Sequence, residues 1–421
     1  VSSHDVIETE PKAAAERAHA PPWLFGITSI PYGVVGSFCG VTMPFLARRA
    51  GIDMDSIGWF GLAVMIPPML QFLYAPIIDI GPKRRVWLVI VSLLGALCLA
   101  GAMLMPLPDK IGPFMALTVA GQLISGLVGS CNGGIISASM PDNLRGRTSG
   151  WMNTGNLAMG AAGAMALLWM QSRVSPKMLA LAVIVMMVGP ALAALWIPEP
   201  DREPRSLSAV FGDTVRDVWS VVRTRKGFTG FLLCASPVGT AALINYFSAL
   251  APDFHADDKV VVFVNGPGGA MVTALGAFGG GWLCDRMNRR NAYLISGGLT
   301  AAVGLVMRQG SFSPTAYVVG VTVYLLVAGF CYAAFSAFVF EVVGDAVGRA
   351  AATQYALFTA AGNLGIAYVG KIDTHYHKAF GVRGVLLADA AQNVVGIVAL
   401  LALSAWLLRR TPTHAAAATA N

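Results

Sequence analysis

Twelve long apolar runs, each about 20 residues and separated by short polar stretches, constrain this chain more than any motif it carries. They occupy residues 23–46, 58–78, 86–107, 113–138, 148–170 and 178–197, then 228–250, 260–284, 292–309, 315–340, 350–370 and 384–408. Wound into an α-helix, a run of that length crosses the hydrocarbon core of a bilayer, since each residue advances about 1.5 Å. The runs are continuously apolar and do not alternate, so a membrane β-barrel does not fit them. Only 12% of residues are charged, against about 25% in a soluble domain whose surface must meet water. Glycine, 47 residues in all, is scattered through the runs, as expected where helix backbones approach closely inside a membrane. The expected fold is an all-α integral membrane protein of twelve transmembrane helices.

The runs fall into two halves that repeat one another. Ala75-Pro76-Ile77-Ile78-Asp79-Ile80-Gly81-Pro82-Lys83-Arg84-Arg85 joins the second run to the third. Gly281-Trp282-Leu283-Cys284-Asp285-Arg286-Met287-Asn288-Arg289-Arg290 joins the eighth to the ninth, its aspartate about 206 residues after the first. Ser29-Ile30-Pro31 in the first run parallels Ser236-Pro237 in the seventh, and Asp142 with Arg145 and Arg147 parallels Asp345 with Arg349. Gly155-Asn156-Leu157 in the fifth parallels Gly362-Asn363-Leu364 in the eleventh. Offsets that agree at four landmarks imply a duplication, and so two six-helix bundles related by an axis along the membrane normal. The expected division is a disordered tail (1–22), a first bundle (23–197), a linker (198–226), a second bundle (227–408) and a tail (409–421). Prolines 198, 200 and 204 stop the preceding helix. Beyond them Leu207, Val210, Phe211, Val215, Val218 and Val222 recur at helical spacing, which fits an amphipathic surface helix or a plain tether.

With the tails, the linker and the doubled loops on one side, about 19 basic residues gather there and about 10 opposite. That side is then cytoplasmic, both termini included, and the membrane is the cytoplasmic (inner) one. The net charge of +7 is spread among loops, which is no footprint for nucleic acid. Six isolated cysteines suggest neither a disulfide framework nor a zinc site, and His375-Tyr376-His377 lacks a third ligand. No G-x-S-x-G, H-E-x-x-H or Walker loop occurs, so no enzyme, cofactor or metal is expected.

The doubled acid–basic loop resembles the signature of the major facilitator superfamily, and the resemblance covers residues 23–408. The second copy is close, at Gly281, Asp285, Arg286, Arg289 and Arg290, while the first has Ala75 and Ile80 where the pattern has glycine and arginine. Gly51-Ile52-Asp53, Ile57-Gly58-Trp59-Phe60, the stretch 72–79 and Ala352-Thr353-Gln354-Tyr355-Ala356-Leu357-Phe358 resemble its peptide–acetyl-coenzyme A–drug transporter branch. That branch includes the anhydromuropeptide permease and siderophore importers. Its muropeptide members carry acids in the fourth span and an arginine in the fifth, where this chain has Ser130-Cys131-Asn132 and Gly155-Asn156-Leu157. The resemblance implies proton-coupled import by alternating access, in a protein acting as a monomer.

An aspartate at a helix end can meet the positive N-terminus of a neighbouring helix and a loop arginine together. Asp79, Arg85, Asp285, Arg286 and Arg290, with Asp142 and Asp345, are therefore candidate gate residues; the alternative is charge that only sets topology. A small-molecule cargo would bind near the midplane. Candidates to meet it are Tyr32, Asn132, Asn153 and Asn156 in the first half, and Asn245, Tyr246, Gln354, Tyr355 and Asn363 in the second. For each amide the alternative is a helix–helix hydrogen bond worth about 0.6 kcal/mol. Glu341 and Asp389 are candidate proton carriers; Glu341 could equally be a gate charge, and Asp389 an acid at the outer water interface. The expected function is that of a secondary active transporter, a permease of symporter type. Efflux by the same fold and the membrane subunit of an ATP-driven transporter are the rival readings.

Overall fold

A computed structural model describes residues 19–171, 173–199, 212, 216, 219, 223–345 and 351–409. The expected disordered tail before residue 19, nearly all of the linker and the tail from residue 410 lie outside the described residues. The described chain is helical throughout and makes twelve spans. Span one is Pro22–Arg49, span two 54–79, span three Arg84–Met103, span four Ile111–Ser139, span five 142–170 and span six Pro176–Trp196. The second half repeats this with span seven at 225–254, eight at 258–284, nine at Arg289–Gln309, ten at Pro314–Asp345, eleven at 351–380 and twelve at 382–409. Seven helices are long and apolar enough to cross a membrane, and spans eleven and twelve count among these as one. Spans one, two and seven are bent or broken, and these breaks prove to be the informative part.

Polar side chains start the helices where the sequence changes from loop to apolar run. Asp53 accepts from the Ser56 N–H at 2.8 Å, Thr224 from the Gly227 N–H at 3.0 Å, and Asn288 from the Asn291 N–H at 3.2 Å. Each satisfies a first-turn donor that has no partner within the helix. Spans eleven and twelve meet at Gly381, whose φ of 63° turns the chain without a Cβ to obstruct it. Residues 371–380, expected as an outer loop, are helical instead. His375 and His377 therefore stand on a helix, and His377 lies 3.9 Å from Asp253.

Small residues decide which helices touch. A Cβ on Gly155 would fall 1.9 Å from the Gly26 carbonyl oxygen, which seats span five directly on span one. Between the halves, a Cβ on Gly281 would fall 2.5 Å from the Gly146 oxygen and 2.6 Å from the Gly150 Cα. Span eight thus crosses span five at backbone contact, where the doubled loop begins. Large apolar side chains on the outer faces, such as Val306 and Met271, are left for lipid. Gly281→Val should destabilise the protein by about 1–3 kcal/mol through overpacking, read as a lower unfolding temperature in detergent. Gly279→Val two residues away, where a Cβ meets nothing within 4 Å, should leave that temperature unchanged. Equal effects of the two would refute the crossing.

Candidate functional site

Both loop aspartates accept from main-chain N–H groups near the start of a helix of the opposite half. Asp285 accepts from the Gly146 and Arg147 N–H groups at 2.7 and 2.9 Å, and from Arg147 Nε at 3.0 Å. These groups lie one turn into span five, which starts at Asp142. Asp79 accepts from the Thr353 N–H at 3.4 Å and its hydroxyl at 3.0 Å, in the first turn of span eleven. Carboxylates at helix N-termini are favoured by the orphan donors and by the helix dipole. The two contacts are pseudo-symmetric, and together they hold the halves shut at the loop end of the molecule.

Arginines complete the arrangement, though not all those expected. Arg84, the first residue of span three, binds Asp79 with Nη2 at 2.6 Å and Nε at 3.0 Å, and both residues are buried. Arg85 turns away; its Nη1 donates to the Ile197 carbonyl at 3.1 Å. The one-residue difference rotates the side chain by about 100° around the helix. Arg286 lies with its guanidinium 3.3 Å from the centroid of the exposed Trp282 ring, off the interface between halves, and Arg290 is half-buried at the start of span nine. The pseudo-equivalent of Arg84 is Arg289, the first residue of span nine. It binds Glu341 at 3.0 Å and donates to the Asp142 carbonyl, so it joins the halves. Glu341 thus stands in the loop-end network. Asp142 itself pairs with Arg145 at 2.6 Å. The Asp345 side chain lies outside the described residues, although its backbone ends span ten.

Glu199, from the Pro-Glu-Pro stretch, is buried against the start of span three. Its carboxylate accepts from the Arg84 N–H at 3.1 Å and the Arg85 N–H at 3.0 Å. In sequence it reads as linker. The only available hint is an acid soon after a span whose end packs beside a basic helix start.

Between the halves, away from the latch, lies a cavity of about 240 Å³. Helix breaks surround it. Span one turns at Ser29; the Thr28 carbonyl left open there accepts from Asn132 Nδ2 at 3.1 Å, and the Thr28 hydroxyl donates back to the Asn132 Oδ1 at 2.8 Å. Span seven breaks at 236–241, where Pro237 cannot donate and Gly239 and Ala241 adopt positive φ. There Asn393 Oδ1 accepts from the Gly239 N–H at 2.9 Å, and the Tyr293 hydroxyl donates to the Val238 carbonyl at 2.6 Å. Span two bends by 52° after Pro67 and Pro68. The Pro68 carbonyl accepts from Asn363 Nδ2 of the other half at 3.2 Å.

Of the expected cargo residues, Tyr32, Asn132, Asn153, Asn156, Tyr355 and Asn363 line this cavity. Asn132 is committed to span one, and Asn153 donates to Ser336 of span ten at 3.1 Å. Asn156 sits in a π-helical turn, 155–159, and its amide makes no hydrogen bond to the protein. Asn245 is exposed and Tyr246 half-buried beyond the break of span seven, so neither reaches the cavity. That break displaces residues which a continuous helix would have carried to the midplane. Gln354 is buried beside the latch, one residue from Thr353, and is not part of the lining. Gln71, Thr240, Ser336 and Thr359 also line the cavity and were not anticipated. Their only sequence signal is a single polar residue inside an apolar run. No charged side chain faces the cavity among the described residues. Asp389, expected near water, is fully buried in span twelve, against Tyr324 of span ten and Gly304 of span nine.

Asp285→Asn would set an amide NH₂ against the span-five donors and forfeit charge-assisted bonds worth about 1.5–3 kcal/mol each. It should reduce the population closed at the loop end by tenfold or more, measured as the distance between spin labels on spans five and eight. An unchanged distance distribution would remove the latch.

The sequence profile of the Major Facilitator Superfamily matches residues 23–370. No curated protein matches the chain. Among solved structures, the transporter FucP in the outward conformation superposes with a TM-score of 0.70 at 14% identity, covering 91% of this chain and 99% of that one. The human organic anion transporter MFSD10 gives 0.67 at 14% identity, covering 90% and 100%. The N162A form of the E. coli fucose:proton symporter FucP gives 0.65 at 14% identity, covering 90% and 98%. At such identity these likenesses concern the fold. Together with the profile match over most of its length, they establish that this chain belongs to the Major Facilitator Superfamily.

Proposed function

We propose that this protein is a secondary active transporter of a small uncharged organic solute, importing it across the cytoplasmic membrane in symport with a cation, most simply the proton. The observation that carries the reading is the cavity shared by both halves, ringed by helix breaks and lined by amides, hydroxyls and tyrosines with no formal charge. A charged cargo would enter such a site without a counter-ion, at a cost of several kcal/mol. Asn156 and Tyr32 offer the free polar groups for recognition, and Asn153, Asn363 and Tyr355 fix the walls. The mirrored aspartate caps give the closed state of one face, and their release opens it. The basic loops put that face in the cytoplasm. Both halves come from one chain, so a monomer suffices. The peptide–acetyl-coenzyme A–drug transporter branch is the relationship its motifs support.

Membrane vesicles bearing the protein, offered a mixture of neutral, anionic and cationic metabolites, should accumulate neutral solutes. A protonophore should abolish accumulation, and ATP should be without effect. Asn156→Ala should lower uptake of the accumulated solute about tenfold, the worth of one cargo hydrogen bond. Uptake that requires ATP and survives the protonophore would favour the ATP-driven reading. Solute expelled along with an inward cation gradient would favour efflux.

A further inference from the structure

Asp373 and Asp389 are both 0% exposed, one on span eleven and one on span twelve, and Gly381 folds these spans back on each other. Gln392, one turn beyond Asp389, donates from Nε2 to Asp373 Oδ1 at 2.8 Å. The Tyr324 hydroxyl of span ten lies 3.2 Å from Asp389 Oδ2. Donors then run out. Asp373 Oδ2 and Gln392 Oε1 are both buried without a hydrogen-bond partner. Among the described residues neither carboxylate has an ion pair.

Among the described residues no cation pairs with either acid. Tyr246 of span seven faces Asp373, while Tyr324 and Cys331 of span ten face Asp389. From span nine it is Gly304 that faces Asp389, its Cβ position 3.9 Å from Oδ2. Arg308 follows one turn further along span nine and forms no ion pair with either acid. Two acids and two bare acceptor oxygens in a dry interior are a surplus of lone pairs over donors, and burying such charge uncompensated costs several kcal/mol. A small cation removes that cost. Only two oxygens lack a partner, which suits a proton or Na⁺ better than Ca²⁺ with its six to eight oxygen ligands.

We propose that Asp373, Asp389, Gln392 and Tyr324 form a binding site for one monovalent cation, H⁺ or Na⁺, inside the second half. The site is wired to the cargo cavity. Asn393, the residue after Gln392, donates to the Asp389 carbonyl at 3.0 Å and accepts from the Gly239 N–H at 2.9 Å, and Gly239 lines the cavity. The helix turn that carries Asp389 thus also holds the break of span seven, through the Asn393 side chain. This deepens the reading as a cation-coupled carrier, but its test requires no cargo.

The purified full chain in detergent is to be titrated with radioactive Na⁺ at fixed pH, and followed by infrared difference spectroscopy through pH steps. The wild type should give saturable Na⁺ binding, which assigns sodium, or a protonated-carboxyl band that titrates, which assigns the proton. Asp373→Asn and Asp389→Asn should each abolish the signal or weaken it about tenfold or more, the effect of losing one strong ligand. Tyr324→Phe and Gln392→Leu should shift the affinity or midpoint at least severalfold, which keeps the test decisive if the aspartate variants do not fold. A wild type with neither signal, or variants indistinguishable from it, would overturn the site. Vesicle uptake that fails while cation binding persists would count against the transport reading alone.

Discussion

Every helix break at membrane depth must find a partner for its exposed main-chain groups, because neither lipid nor an apolar core supplies one. The architecture of this protein follows from how it meets that demand. Asn132 serves the turn in span one, Asn393 and Tyr293 serve the break in span seven, and Asn363 reaches across the halves to the proline bend of span two. Each partner is a side chain from a neighbouring span, so every break is also a joint between helices. The joints converge on one cavity, and the polar groups they leave over give it its chemistry.

The same economy governs the loop end. The two aspartates of the doubled loop accept from main-chain N–H groups near the starts of spans five and eleven in the opposite half. Backbone contact at Gly281 brings Asp285 close enough to do so. The two copies differ where their sequences differ. Arg286 lies on Trp282 in the second copy, whereas Ile80 in the first leaves its carbonyl to the Trp87 indole N–H at 2.7 Å. What the two copies share is an aspartate that accepts from main-chain N–H groups of the opposite half; its arginine is Arg84 for Asp79 and Arg147 for Asp285. A pair as buried as Asp79–Arg84 costs about 3–5 kcal/mol when one partner is lost.

Residue by residue, legibility tracked periodicity. The apolar runs located all twelve spans to within a few residues, since hydrophobic length is fixed by the bilayer and needs no tertiary information. The helices extend further than the apolar runs at 142–147, 341–345 and 371–380, where polar residues continue the helix. Six of nine expected cargo residues line the cavity; Asn245 and Tyr246 do not, because Pro237 and Gly239 break the helix that would have aimed them there. Arg84 and Arg85 are neighbours of identical chemistry, and only their angular position on span three tells them apart.

Sequence alone determined the class of protein, its division into repeated halves and the recurrence of Asp79 and Asp285 as acids at helix ends. These are properties of composition and spacing, which local chemistry and bilayer thickness control. Tertiary structure alone decided which donors those acids meet, which amides are spent on holding helices and which remain free, and that Asp389 is sealed beside Asp373. Those outcomes depend on contacts between residues 19 to 274 positions apart, and no local pattern carries the orientation of one helix against another.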